Sequence, residues 1–154
     1  MIGCSKTLTD GLYLTQYFVE QKVDTSVIVV PASVDGNIHH KYIQTSIGFD
    51  SASKLYSKLI GNMLTDSASA MKNWYFVRLM GKESSHLVLE CALSTCPNIV
   101  IISEDCRSRK DTLKDIVNRI SDVVCERSCV GKNYGLVLIP EGLLYHLPEF
   151  SQLI

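Results

Sequence analysis

Neither sign of charge is in surplus in this sequence. Its 154 residues carry 15 basic and 16 acidic side chains, so there is no electrostatic footprint for nucleic acid or an anionic membrane surface. Long apolar runs are missing as well. The longest, such as residues 27–30 and 99–102, are strand-sized and far below the ~20 residues of a membrane-spanning helix. The opening residues Met1-Ile2-Gly3-Cys4-Ser5-Lys6 contain no apolar signal core. Together these absences predict a cytoplasmic chain with no nucleic-acid and no membrane partner.

The common signature motifs are absent too. The sequence has no GxGxxG after an apolar run, no GxxxxGK[ST] and no GxSxG, which leaves a dinucleotide site, a P-loop and an α/β-hydrolase nucleophile unsupported. Its six cysteines include no CxxC pair. Cys125 and Cys129 share a helix face by spacing and could in principle ligate a metal, but no confident metal-ligand set emerges. Buried or half-buried free thiols are the expected state. His39 and His40 are adjacent, and neighbouring side chains point apart on extended backbone, so they are expected in solvent rather than on one ion. No internal repeat, low-complexity tract or linker interrupts the chain.

What is present is a strand–helix alternation. Residues 25–31, 74–80, 98–103 and 134–140 are short and nearly continuous in Val, Ile, Leu or aromatics, the pattern of strands covered on both faces in a parallel sheet. Between them, residues 8–20, 49–71 and 84–94 carry apolar side chains at helical spacing. So does a segment opened by Ser108 and Asp111, and Pro140 precedes a last short helix reaching Ile154. Alternation of this kind predicts an α/β fold with a doubly wound, Rossmann-like parallel sheet. The chain begins near a strand-end loop and stops just after a helix, so it is expected to be a piece of a larger α/β protein.

Ligands of such sheets bind at the carboxyl ends of the strands, which focuses attention on three segments. In Pro31-Ala32-Ser33-Val34-Asp35-Gly36-Asn37, Ser33 and the backbone can hold a phosphate and Asp35 can accept a proton. The same residues also make an ordinary turn. In Arg78-Leu79-Met80-Gly81-Lys82-Glu83-Ser84-Ser85-His86, Gly81 allows close backbone approach, Lys82 brings charge, and the serines open a helix whose N-terminus favours anions. The competing reading is a plain strand–turn–helix junction with Ser84 as N-cap. His86 alone reads as a structural histidine. In Ile139-Pro140-Glu141-Gly142-Leu143, Glu141 either binds sugar hydroxyls or simply complements a helix dipole.

Several ordered motifs then resemble one family. Thr45-Ser46-Ile47-Gly48-Phe49-Asp50-Ser51-Ala52-Ser53-Lys54, Tyr75-Phe76-Val77-Arg78-Leu79-Met80-Gly81-Lys82, Ser85-His86-Leu87-Val88-Leu89-Glu90-Cys91-Ala92-Leu93, Pro97-Asn98 and Ile139-Pro140-Glu141-Gly142-Leu143 are similar to the TSFGFDTA, FVRLMGR, SHIALECAL, HPN and IPEGL motifs of pyrophosphate-dependent phosphofructokinases, long plant and protist type. The order and the gaps agree over nearly the whole chain.

The resemblance implies part of the phosphofructokinase fold. Residues 1–72 would belong to a donor-side α/β subdomain and residues 73–154 to a sugar-phosphate-side one. It implies phosphorylation of fructose 6-phosphate in glycolysis by pyrophosphate or ATP, with magnesium as cofactor. It also implies a partner, either a second phosphofructokinase half or another copy in a homo-oligomer. By the same resemblance Asp35 is the catalytic base, and Ser33, Met80, Gly81, Lys82 and Glu141 bind substrate.

The donor side departs from the family pattern. The family's Gly-Gly-Asp-Asp loop matches Gly3-Cys4-Ser5-Lys6, so Ser5 replaces the metal-side acid and Lys6 adds a positive charge. Its pyrophosphate-neutralising lysine falls on Ala32, and its second loop aspartate on Asn37. Phosphoryl transfer is mostly positioning and charge neutralisation. Each such loss costs about 100- to 1000-fold, so the chain is expected to be impaired in transfer. The alternative role is a non-catalytic regulatory or structural half that binds a sugar phosphate. The long protist forms fuse two halves, of which one is expected to be active.

Overall fold

The computed structural model describes residues 1–82 and 84–151. The expected last helix extends beyond them at its end, so its final residues lie outside the described range. The architecture is α/β, with two three-stranded parallel sheets and helices between the strands.

The second sheet contains the core. Strands β4 (Trp74–Leu79) and β5 (Ile99–Val100) flank β6 (Gly135–Pro140), in the order β4-β6-β5. Leu136, Val137 and Leu138 of β6 are each 0% exposed, so the continuous apolar run predicted here is matched by cover on both faces. Leu136 and Leu138 point into one cluster, with Leu79, with Ile60 of helix α2 (Phe49–Ala70), and with Leu87, Val88 and Cys91 of α3 (His86–Thr95). Val137 points into the opposite cluster, with Ile99, Ile101, Cys106, Leu143 and Leu147, and with Ile116 of α5 (Leu113–Cys129). Helices on both faces are what makes the sheet doubly wound. Burying each of these Leu and Val side chains is worth about 1.5–3 kcal/mol relative to exposure.

Strand β5 is shorter than the expected 98–103. Only Ile99 and Val100 join the ladder, and the Asn98 side chain takes over at its start, accepting the Leu136 N–H at 2.8 Å. The next residues turn at once into α4 (Ser103–Arg109). Lys110 then adopts a left-handed conformation at φ 58. Thr112 begins α5 with a capping box, its hydroxyl accepting from the Asp115 N–H while the Asp115 carboxylate accepts from the Thr112 N–H. What reads as one segment from Ser108 is therefore two helices.

The first sheet is thinner, with β1 (Ile2–Gly3), β2 (Val30–Ser33) and β3 (Ile47–Gly48) in sequential order and α1 (Ser5–Glu20) crossing from β1 to β2. The strand expected at 25–31 is displaced toward its carboxyl end. A ladder needs a lateral partner, and among the described residues the neighbours are Ile2 and Gly3 opposite Val30 and Pro31, then Ile47 and Gly48 opposite Ala32 and Ser33. Ile28 is 74% exposed, so cover on both faces is not met here. The same holds for α1: Leu12, Tyr13, Tyr17 and Val19 are exposed, and its only buried residue among those described is Gly11. The cysteines divide unevenly. Cys91 and Cys106 are buried, but Cys4, Cys96, Cys125 and Cys129 are exposed, the last two on the exposed face of α5. No described helix is long and apolar enough to cross a membrane.

Candidate active site

The carboxyl ends of both sheets meet around Asp35. Two residues past β2, Asp35 is half-buried, and its conformation is set locally by Ser33. The Ser33 hydroxyl accepts the Asp35 N–H at 3.1 Å and donates to Asp35 Oδ2 at 3.4 Å. This closes a serine turn of the kind that competes with regular structure at strand ends. Ser33, expected to bind substrate, thus also contacts Asp35 within the chain.

Gly81 lies against that carboxylate. A Cβ built on Gly81 would sit 3.7 Å from Asp35 Oδ1 and 3.0 Å from the Ser84 carbonyl oxygen, and its φ of +133° belongs to glycine. Its own carbonyl accepts the Gly142 N–H at 3.1 Å, which joins the end of β4 to the 3₁₀ helix Glu141–His146 after β6. Asp35, Gly81 and the Glu141-Gly142 pair are therefore linked in space, although 60 residues separate Gly81 from Glu141 at the nearest. Glu141 is half-buried in the first turn of that helix. Met80 is exposed, and so is Lys82, whose Nζ lies 5.2 Å from the centre of the Tyr145 ring. A cation over an aromatic face is held without losing its charge.

The start of α3 is not the open anion site that its serines suggest. Ser85, not Ser84, is the N-cap residue, and its side chain does not cap the helix. Its hydroxyl accepts the Ser103 N–H at 3.0 Å, and its own N–H is taken by Glu104 Oε1 at 2.9 Å. An internal carboxylate already fills this positive end. Burial pushes the Glu104 carboxyl up, but hydrogen bonds from the Ser85 side chain and backbone and the nearby His86 outweigh that, holding it below the ordinary range. Ser84 instead donates to the Asp35 carbonyl at 2.7 Å, and His86 Nδ1 lies 3.0 Å from the Gly36 carbonyl oxygen. Neither contact is visible from spacing, since the partners are 49 and 50 residues apart.

A cleft of about 450 Å³ opens beside Gly36, between Phe49, Asp50 and the α3 face of His86, Glu90 and Leu93. Met80, Gly81, Lys82 and Glu141 are not among its lining residues. His39 also lines it; both His39 and His40 are exposed, and the His40 ring lies 5.3 Å from Tyr42.

The altered positions lie at the same end of the first sheet. Ser5 and Lys6 form the first turn of α1, directly after β1, and that turn holds no acid. Ala32 sits on β2 opposite Ile47, and Asn37 is half-buried two residues past Asp35. A divalent cation needs oxygen ligands, usually carboxylates. Among these four positions the Ser5 hydroxyl and the Asn37 amide oxygen are the only side-chain ligands, the Lys6 ammonium and the Ala32 methyl can supply none, and no carboxylate is present, so the set fits a divalent cation poorly. Among the described residues no three His, Cys, Asp or Glu side chains cluster closely enough to hold a metal.

Parallel βαβ units with polar loops gathered at one edge of the sheets define an α/β protein of the doubly wound type. The comparisons narrow this. The phosphofructokinase family profile matches residues 1–151, and the chain belongs to that family. It is 45% identical over 154 residues to the pyrophosphate–fructose 6-phosphate 1-phosphotransferase subunit beta 1 of Arabidopsis thaliana, covering 100% of this chain and 27% of that protein. It is 42% identical to subunit alpha 2 from the same plant, covering 100% of this chain and 25% of that one. The phosphofructokinase structure from Saccharomyces cerevisiae superimposes with a TM-score of 0.68 at 18% identity, over 96% of this chain and 21% of that one. The chain thus spans about a quarter of the length of these relatives.

Proposed function

We propose that this chain forms the acceptor side of a pyrophosphate-type phosphofructokinase site, holding fructose 6-phosphate, and that it is impaired in phosphoryl transfer by itself. Asp35 is the base in this reading. Gly81, Lys82 and Glu141 face the sugar phosphate, Met80 flanks them, and Ser33 orients Asp35. The observation that carries the reading is the contrast at one site. Asp35 is held by Ser33 of β2 and by Ser84 after β4, whereas Ser5, Lys6, Ala32 and Asn37 at the same end of the first sheet offer no carboxylate for a metal. Magnesium and the phosphate donor, pyrophosphate or ATP, then need groups from elsewhere. Each missing donor-side group costs about 100- to 1000-fold, and such losses are not additive.

Titration calorimetry with fructose 6-phosphate, paired with turnover assays on pyrophosphate and on ATP with magnesium, tests this. Saturable sugar-phosphate binding without turnover is the expected result. Restoring Ser5→Asp, Ala32→Lys and Asn37→Asp together is expected to raise turnover of the protein in which this site operates. Robust turnover by the unaltered chain defeats the proposal.

A second reading, a regulatory or structural half that stabilises an active partner, is favoured by the exposed apolar face of α1 at Leu12, Tyr13, Tyr17 and Val19. Two of the relatives are named as beta and alpha subunits, which supports assembly with a second phosphofructokinase chain or with another copy.

A further inference from the structure

We propose that Ser84 and His86 are positioning residues that fix the Asp35-Gly36 turn; the consequence for sugar-phosphate binding rests on the function proposed above. Asp35 and Gly36 lie in the long connection between β2 and β3, where no ladder holds the backbone. Gly36 is in the left-handed region at φ 65, so its neighbouring peptides are free to flip unless something holds them. Two consecutive carbonyls are held. Ser84 Oγ donates to Asp35 O at 2.7 Å and His86 Nδ1 to Gly36 O at 3.0 Å. One of the donors is anchored by a helix. His86 is the first residue of α3, and Leu87 and Val88, which follow it, are 0% and 1% exposed against the core. A carbonyl accepts only from a protonated nitrogen, so His86 carries its hydrogen on Nδ1. The imidazole works through hydrogen-bond geometry on the Asp35 loop, and the histidine that reads as merely structural from sequence gains a specific role.

The experiment uses the 154-residue chain. Amide hydrogen exchange at Asp35, Gly36 and Asn37 is compared with that of β6 residues, and fructose 6-phosphate affinity is measured by calorimetry. The variants are Ser84→Ala and His86→Leu, with Ser84→Thr and His86→Asn retaining a donor. Losing one hydrogen bond is expected to speed exchange at residues 35–37 about fivefold and to weaken sugar-phosphate binding by a similar factor. Exchange in β6 should not change, and Thr and Asn should restore both readouts. A ¹⁵N spectrum should show the His86 hydrogen on Nδ1. The proposal is overturned if exchange at 35–37 is unchanged in both deletion variants, if it rises equally in β6, or if the unaltered chain binds the sugar phosphate and neither variant weakens it. Should the unaltered chain bind no fructose 6-phosphate, the functional reading fails, while local exchange still decides the role of Ser84 and His86.

Discussion

Replacing Gly81 by alanine tests the site geometry most directly. At φ +133° an L-residue is held outside its allowed regions, which costs on the order of 1–3 kcal/mol. The new methyl would lie 3.0 Å from the Ser84 carbonyl oxygen, a backbone atom that cannot swing aside as a side chain can. Relieving that contact adds about 1 kcal/mol, so the total is about 2–4 kcal/mol. The Gly81 carbonyl also accepts from Gly142, so any shift of the turn loosens the link to the 3₁₀ helix as well. Urea unfolding of the chain followed by circular dichroism measures the loss. With a slope of about 2 kcal/mol/M, the midpoint should fall by roughly 1–2 M. Gly61 supplies the contrast. It sits within α2 with nothing inside 4 Å of an added Cβ, so Gly61→Ala should stabilise by about 0.5–1 kcal/mol. A Gly81→Ala variant as stable as the parent, or one that tracks Gly61→Ala, would falsify the reasoning about this turn.

Three further outcomes are expected. Glu104 titrates low in the folded chain, so the stability it confers is present above its unfolded pKa of about 4.3 and is lost as pH falls through the lower folded value. Glu104→Gln should therefore flatten that part of the acid limb in pH-dependent thermal melts, and an unchanged acid limb counts against the Ser85 contact. A thiol reagent should modify Cys4, Cys96, Cys125 and Cys129 in the native chain but reach Cys91 and Cys106 only on unfolding; burial first, and then the charge of Glu90, raises the Cys91 thiol despite the nearby Ser57 hydroxyl. Mass spectrometry after brief labelling reads this directly, and early modification of Cys91 contradicts the packing of α2 on α3. Thr112→Ala should cost about 1 kcal/mol through loss of the α5 capping box, and chemical denaturation showing no loss argues against that cap.

How much of this was legible in the sequence varied with how local its cause is. Strand β6 could be read because Leu136, Val137, Leu138 and Ile139 follow one another and both faces of the strand are covered, a condition that composition alone reports. The run at 25–31 looks alike, yet most of it forms no ladder, since a strand also needs neighbours. Those neighbours here are Ile2-Gly3 and Ile47-Gly48, too short and too far away in sequence to announce themselves. The division between α4 and α5 was readable in principle, because Thr112 and Asp115 stand at capping-box spacing. At the site, motif matching could place Asp35, Gly81 and Glu141 at strand ends, but it could not assign what each hydroxyl does. Ser33 and Ser84 both read as phosphate ligands or caps, and within the chain both contact Asp35, one through its N–H and the other through its carbonyl. The positive end of α3 looked open until Glu104, 19 residues away from Ser85, filled it with the protein's own carboxylate. Polar side chains at strand ends are committed by contacts across the fold, so a motif gives their address while the partner sets their task. That is why the braced half of this site and its altered half carry different weight. The contacts around Asp35 are made within the chain, whereas the meaning given to Ser5, Ala32 and Asn37 rests on the function proposed above and on the charge that phosphoryl transfer would have to neutralise there.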